Sequence, residues 1–320
     1  MRVLVLGATG FIGGQIARAA HAEGLETHGL RRRPEAVGAV GDLPLTWHTG
    51  DIRDPDSLAA AMQSCEVVFH AAAYYPSTER RIPPCVQTGV REMRTVLGAA
   101  KAAGVGRVVY TSSLSTIGPP PEGANRLADE RDAYVPGSVR SPYYEAKWAM
   151  EVEAALATLA GLPVVTLVPT TVFGPGDVKP TTGELLVMVA RRSLPVMVDA
   201  VVNVVDGRDV ALAHLRAAER GRPGDRYIIG GHNVNLVDSM ALAAQIIGVR
   251  PPRRLSRAAG IRLMRMASAL HLPIKDTPRQ LEHWRPLNAQ KALDAFGVPT
   301  TPLEETLRDT LDWFREHRYY

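Results

Sequence analysis

A doubly wound parallel α/β sheet with a smaller, discontinuous C-terminal unit is the fold class that this 320-residue sequence predicts. Three observations predict it: short β-rich runs alternate with longer helical stretches, the runs are near-continuously apolar as burial on both faces requires, and the regularity fades after Pro169. Six strands follow, at Val3 to Gly7, Thr27 to Arg31, Leu45 to Thr49, Val67 to Ala71, Arg107 to Thr111 and Val164 to Val168, with helices filling the gaps. Beyond Pro169 come mixed strands, loops rich in Pro and Gly, and helices near Val205 to Arg220, Val237 to Gly248 and Leu303 to His317. No repeat and no Gly/Ser linker separates the halves, so the chain is expected to cross between them more than once. The expected division is 1–168 for the sheet domain, which takes back 200–224, and 169–320 for the smaller domain.

Composition narrows the function classes. Hydrophobic residues at 46% and charged residues at 22% are those of a folded globular chain. The formal charge of +4 comes from arginines spread along the chain rather than from one basic block, which argues against a nucleic-acid partner. Cys65 and Cys85 lack metal-ligand spacing and read as free thiols of a reducing compartment, so no metal is expected. No apolar stretch approaches the ~20 residues that span a bilayer, and a strand begins at Arg2 where a signal peptide would lie; the expected location is the cytoplasm. Between Arg253 and His271, Arg254, Arg257, Arg262 and Arg265 share a helical face opposite Leu255, Leu263, Met266 and Leu270. That stretch reads as a solvated face over an apolar core stripe, in preference to a membrane-surface helix.

The first chemical motif is Gly7-Ala8-Thr9-Gly10-Phe11-Ile12-Gly13, placed after the first strand and opening an amphipathic helix at Phe11. Glycines there permit a tight turn and close backbone approach, so that a pyrophosphate can rest on the free N–H groups of the helix N-terminus. The end of the second strand selects the dinucleotide: Arg31-Arg32-Arg33 stands where an acid would bind the ribose 2′-OH, and favours NADP(H) over NAD(H). A solvated strand end is the plain alternative. Asp51-Ile52, after the third strand, would face the adenine, or else form an ordinary turn.

The second motif is Ser141-Pro142-Tyr143-Tyr144-Glu145-Ala146-Lys147, with Ser141 as N-cap and Pro142 at the first helical position. Tyr143 and Lys147 then share a helical face, where the ammonium can lower the phenol's pKa and hold the cofactor ribose. Alone, such a pair is a common surface feature. Thr111-Ser112-Ser113 gives it weight, because it sits at the carboxyl end of the fifth strand, the ligand-binding edge of open parallel sheets. A hydroxyl there could donate to a substrate oxygen, or simply cap a turn.

In order and spacing, these motifs together with Gly50-Asp51, His70-Ala71-Ala72-Ala73, Val109-Tyr110-Thr111-Ser112-Ser113 and Pro169-Thr170-Thr171-Val172-Phe173-Gly174-Pro175-Gly176-Asp177 resemble the extended short-chain dehydrogenase/reductases over essentially the full length. The dihydroflavonol-reductase-like and aldehyde-reductase-like branch is the best resemblance, with the hopanoid-associated sugar epimerases as its neighbour. Asn203-Val204-Val205-Asp206-Gly207-Arg208-Asp209-Val210-Ala211 points to the reductase side. The resemblance implies a catalytic set of Ser113, aligned by its distance to Gly118, with Tyr143 and Lys147. It implies cofactor contacts from Gly7, Thr9, Gly10, Phe11, Ile12, Gly13, Arg31, Arg32, Asp51, Ile52, Ala71, Ala72, Ala73, Tyr143, Lys147, Pro169, Thr170 and Val172. The reaction implied is hydride transfer between a nicotinamide and a carbonyl carbon, with Tyr143 giving the proton and Ser113 steadying the oxygen, or the reverse on an alcohol. Gly89, where the family commonly has asparagine, and Glu92, where it has glycine, depart from the pattern.

Two other readings use the same residues. A nucleotide-sugar epimerase or dehydratase would share Tyr143, but Thr170-Thr171 stands where those enzymes have an asparagine. Asp199-Ala200-Val201-Val202 replaces their diphosphate arginine, leaving Arg191 and Arg192 as substitutes. A non-catalytic NADP(H) sensor is opposed by the intact catalytic set. The substrate pocket is expected from Tyr74-Tyr75-Pro76, Ser115 to Pro121 and Thr170 to Pro180, suited to a partly hydrophobic carbonyl compound or alcohol. A two-fold homodimer, the commonest assembly of soluble enzymes, is the expected state.

Overall fold

The structure, a computed structural model, describes residues 1–76, 79–269 and 278–320. The first half runs β1 (Arg2–Leu6), α1 (Phe11–Ala22), β2 (Glu26–Arg31), β3 (Thr46–Thr49), α2 (Pro55–Met62), β4 (Val67–His70), α3 (Ile82–Ala102), β5 (Arg107–Thr111), α4 (Pro142–Leu159) and β6 (Val164–Pro169). All six anticipated strands are present, each end within one residue of its expected place. The second half runs β7 (Thr171–Phe173), α5 (Glu184–Ala190), β8 (Val196–Val198), β9 (Val201–Asp206), α6 (Gly207–Arg220), β10 (Arg226–Ile229), β11 (His232–Asn235), α7 (Leu236–Ile246), β12 (Arg253–Leu255), α8 (Arg257–Ala269), α9 (Pro278–His283), α10 (Gln290–Phe296) and α11 (Leu303–Glu316).

The main sheet has seven strands in the order β10-β6-β5-β4-β1-β2-β3, and every neighbouring pair is parallel. Its seventh strand, β10, was not anticipated: four residues after a Gly-Asp turn carry too little pattern to read. Along β1 the side chains alternate, Val3 and Val5 facing α1 and α6, Leu4 and Leu6 facing the layer of α2, α3 and α4. The strand order reverses between β1 and β4, which opens a crevice at their carboxyl ends. At the outer edge of β10 two backbone groups are occupied by side chains. The Ile228 N–H donates to the Glu130 carboxylate at 2.8 Å, and Lys291 Nζ donates to the Arg226 carbonyl at 2.8 Å.

Two small sheets, β11-β9-β7 and β12-β8, pack with α5, α7 and α11 around a separate apolar cluster centred on Phe173, Leu186, Met240, Leu307 and Phe314. The helix expected from Val205 begins at Gly207, because β9 continues to Asp206, whose carboxylate caps α6 by accepting from the Arg208 N–H at 2.7 Å. The same carboxylate takes the Arg208 guanidinium and the Thr306 hydroxyl, and Asp209 takes the Thr301 N–H and hydroxyl, so this stretch anchors the C-terminal segment.

The basic helix departs from expectation. Leu263 and Met266 are 59% and 63% exposed, not core. The helix instead seats Gly260 on Val198, and its arginine face is solvated as expected: Arg262 and Arg265 are exposed, Arg265 pairs with Glu282, and the half-buried Arg257 donates to the carbonyls of Leu281 and Glu282. Arg254 and Leu255 lie before it on β12, where Arg254, also exposed, pairs with Asp199 and Asp238. Leu270 and His271 lie outside the described residues. Among the described residues no helix is long and apolar enough to cross a membrane, and no group of three or more His, Cys, Asp or Glu is placed to hold a metal.

Candidate active site

The crevice between β1 and β4 is built for close backbone approach. Gly7 has φ +93°, in the left-handed region, and a Cβ there would lie 2.9 Å from the Ala71 carbonyl carbon and oxygen. Ala71 is itself held by its N–H to the Leu6 carbonyl at 2.9 Å. A Cβ on Gly13 would lie 2.2 Å from the Gly7 oxygen, so α1 packs directly on the end of β1. Gly10 is the N-cap and provides no side-chain cap, which leaves the first-turn N–H groups of Phe11, Ile12 and Gly13 at the positive end of the helix. That is an anion cradle, a fit for the pyrophosphate of a dinucleotide. The Phe11 ring points away toward α6, where a Cβ on Gly207 would meet it at 3.0 Å; its backbone is what the cradle uses.

At the end of β2 the Arg31 guanidinium lies over the Trp47 ring, 4.8 Å from its centroid, and its buried Nε has no partner in the protein. Arg32 is exposed, and Arg33 pairs with Glu35 at 3.5 Å. Asp51 is engaged by Arg53 at 2.9 and 2.6 Å, and that guanidinium holds its carboxyl down to about 2. Ile52, Ala72 and Ala73 pack against the α2–α3–α4 side of the core. The two departures from the pattern have physical reasons or consequences here. A Cβ on Gly89 would lie 3.0 Å from Met150 Sδ, so this glycine makes room for α4 against α3. Glu92 is partly buried and its carboxyl is pushed up by that burial, with Arg53, Asp51 and Arg32 as its charged neighbours.

The chemical centre lies at the carboxyl end of β5. The Tyr143 hydroxyl donates to Ser113 Oγ at 2.9 Å, and Ser115 donates to the same Oγ through its N–H at 3.2 Å and its hydroxyl at 3.1 Å. Lys147 Nζ stands 5.9 Å from the centroid of the Tyr143 ring. Ser141 occupies the N-cap position of α4 without making a side-chain cap bond. The expected lowering of the phenol by the ammonium is overturned: burial pushes Tyr143 up to about 12. Burial also brings Lys147 down to about 8, with Glu151 opposing the change. Lys147 is buried and Tyr143 partly so, and desolvation is the leading cause of both shifts; the Ser113 hydrogen bond is the main effect favouring the phenolate.

The surroundings agree in part with the anticipated pocket. Tyr75 places its ring 5.0 Å from that of Tyr143 and is 54% exposed. Thr170 turns inward, donating to Asn203 Oδ1 at 2.9 Å, and Val172 is buried in the core. Pro169 ends β6 beside them. His70 is fully buried next to Lys147 and its imidazole is held neutral, down to about 3 by burial. A cavity of about 450 Å³ lies elsewhere, at the β10 edge between Glu130, Arg226, Asn288 and Lys291.

These features coincide with a family pattern. The model of the NAD dependent epimerase/dehydratase family matches residues 3–230, a span that takes in all seven strands of the main sheet but for Arg2, together with the glycine turn, Ser113, Tyr143 and Lys147. The chain belongs to that family. Its Rossmann-like sheet is that of the extended short-chain dehydrogenase/reductases, and three likenesses set it among them. A Synechocystis protein provisionally named a dihydroflavonol 4-reductase is 32% identical, over 98% of this chain and 95% of its own length. A nucleoside-diphosphate-sugar epimerase from Pseudomonas aeruginosa has a crystal structure that superposes with TM-score 0.86 at 27% identity, covering 100% and 99% of the two chains. The enzyme MoeE5, in complex with UDP-glucose and NAD, superposes with TM-score 0.76 at 25% identity, over 99% and 100%.

Proposed function

We propose that this family member is an NADP(H)-dependent oxidoreductase that reduces the carbonyl of a small aldehyde or ketone, or oxidises the corresponding alcohol, with Ser113, Tyr143 and Lys147 as its catalytic set. The observation that carries the reading is the 2.9 Å hydrogen bond from Tyr143 to Ser113 Oγ, with Lys147 one helical turn along at the ligand edge of the sheet. The chemistry a nicotinamide cofactor supplies when bound is a hydride on or off a carbonyl carbon. Tyr143, protonated at neutral pH, gives its proton to the carbonyl oxygen, and Ser113 holds that oxygen by a hydrogen bond. Lys147, still largely cationic at neutral pH, offsets the phenolate left behind.

The amides of Phe11, Ile12 and Gly13 would hold the pyrophosphate, with Thr9, Gly10 and the Ala71-Ala72-Ala73 backbone closing the crevice. Arg31 and Arg32 would hold a 2′-phosphate, which is the basis for NADP(H) over NAD(H); the orphan Nε of Arg31 supports it. Residues 1–168 with 200–224 would form the cofactor domain, and 169–320 would close over the substrate. The Synechocystis relative supports the reductase reading by its name. A nucleotide-sugar epimerase is the second reading, favoured by the Pseudomonas structure and opposed by the inward turn of Thr170. A sensor without turnover has the intact trio against it. The cytoplasm suits two buried, unreactive thiols, Cys65 being pushed up to about 11. A homodimer is the assembly we expect.

The test is a titration of the purified protein with NADPH and NADH, followed by absorbance loss on adding a panel of aldehydes and ketones, beside a Tyr143→Phe control. Tighter NADPH binding, with consumption only by the unmutated protein, upholds the reading. Binding with no consumption, together with turnover of a UDP-sugar, replaces it by the epimerase.

A further inference from the structure

Ser113 is held from behind by a ring of buried hydrogen bonds, closed through one ion pair, that none of the motifs contains. Ser112, the residue before it, donates its hydroxyl to the Glu151 carboxylate on α4. The other oxygen of Glu151 forms an ion pair with the Arg226 guanidinium of β10, 2.5 Å from its Nε, a contact of charge and not of hydrogen-bond geometry. Arg226 Nη2 donates to the carbonyl and hydroxyl oxygens of Thr116, at 3.0 Å each. Thr116 closes the ring by donating its hydroxyl to the Ser113 carbonyl at 2.9 Å. Ser112, Ser113, Thr116 and Glu151 are all buried, and only the Arg226 side chain reaches water, at 19% exposure.

We propose that Glu151 and Arg226 are positioning residues for the catalytic serine, setting Ser113 Oγ against Tyr143 by tying the end of β5 to α4 and β10. The proposal rests on the reading of Ser113 and Tyr143 given above. Its geometry is that of a jig. Glu151 and Tyr143 lie on one helix about two turns apart, so a single rigid element holds Ser112 through one side chain and meets Ser113 through the other. The Ser112 N–H, bonded to the Leu167 carbonyl at 2.7 Å, pins the same stretch to β6. Stability alone gives little reason for the pair, because a buried ion pair can often be replaced by apolar groups of similar volume without loss. What the ring supplies is a fixed position at the reacting oxygen, where a 1 Å displacement costs about a hundredfold in rate. Its charge supports the same site. Glu151 lies one turn from Lys147 and opposes the effect of burial on that ammonium, which is otherwise flanked by neutral His70 of β4 and Tyr143. Glu151 in turn faces Arg226 of β10 and the buried Tyr110 hydroxyl of β5.

The experiment compares Glu151→Gln, Arg226→Met, their double variant and Arg226→Lys in the full chain. NADPH affinity, kcat and KM on the carbonyl panel, and amide hydrogen exchange over 112–117 are measured. NADPH affinity should stay within about twofold, because no ring member touches the cradle, while kcat falls about ten- to a hundredfold. Exchange at 112–117 should quicken about tenfold or more, the double variant should be no worse than the poorer single, and Arg226→Lys should recover part of kcat. Should Glu151→Gln fail to fold, Ser112→Ala breaks the ring at its neutral member under the same expectations. A kcat within about twofold of the unmutated protein, or losses that multiply in the double variant, overturns the proposal. If the unmutated chain consumes NADPH with none of the carbonyls, the reductase reading fails, and exchange alone decides the ring: unchanged exchange in both single variants refutes it.

Discussion

Gly13→Ala should abolish dinucleotide binding while leaving the fold intact. The added Cβ would lie 2.2 Å from the Gly7 oxygen and 2.5 Å from its carbonyl carbon, both backbone atoms that no rotamer change can move. Restoring a close C···O contact of ~3.3 Å requires the start of α1 to retreat by about 1 Å from the glycine turn. The amides of Phe11, Ile12 and Gly13 retreat with it, and a charge-assisted hydrogen bond lengthened by that much is largely lost. At about 1.5–3 kcal/mol each, losing two such bonds costs about 3–6 kcal/mol, or about a hundred- to ten-thousandfold in Kd. The assay is NADPH fluorescence titration, with thermal melting to show that the variant is folded. Gly98→Ala is the control, on the exposed face of α3 near its C-terminal end with nothing within 4 Å of the new methyl, and should be neutral or stabilising by about 0.5–1 kcal/mol. A folded Gly13→Ala protein that binds NADPH within about threefold of the unmutated chain would refute the cradle.

Arg32→Ala should weaken NADPH by about tenfold or more while leaving NADH within about twofold, the size of one charge-assisted phosphate contact; equal losses for both cofactors would remove the 2′-phosphate assignment. His214, bonded to Thr111 and the Val210 carbonyl, is brought down to about 4 by burial, so it stays neutral in the fold while the unfolded chain protonates near 6.5. Its contribution, about 3 kcal/mol, is therefore present above pH 6.5 and is lost as pH falls toward 4. Urea unfolding across pH 4–7 should show that slope, and His214→Gln should flatten it; an equal slope in the variant rejects the account. Asp206→Ala should cost about 3–5 kcal/mol by leaving Arg208 and the α6 N-terminus without their shared carboxylate. A chemical melt within about 1 kcal/mol of the unmutated protein would show that Asp309 alone satisfies Arg208.

Much of the sheet was legible because burial on both faces writes itself as continuous apolar runs, which β1, β4, β5 and β6 carry, while the outer strands β2 and β3 are more polar and were placed by their alternation with helices. β10 was not, since Arg226-Tyr227-Ile228-Ile229 is short and starts with a charge that only the folded chain explains, through Glu151. The glycine turn and the Tyr143–Lys147 spacing were readable as local chemistry, and the structure brings them to one edge with Ser113. What spacing could not supply was environment. The ionisation of Tyr143 follows from burial, a property of the whole fold. Leu263 and Met266 misled for the opposite reason: helical periodicity says which residues share a face, but not which face has something to pack against.

The side chains along the outer edge of β10 also constrain assembly. An open strand edge is a template on which a second chain can hydrogen-bond its own strand, and from there on growth need not stop. With Glu130 on the Ile228 amide and Lys291 on the Arg226 carbonyl, those positions are already filled. A partner could add a strand there only by stripping two charged groups of their contacts. Continuous-sheet association through this flank is therefore opposed by contacts that the chain already makes with itself.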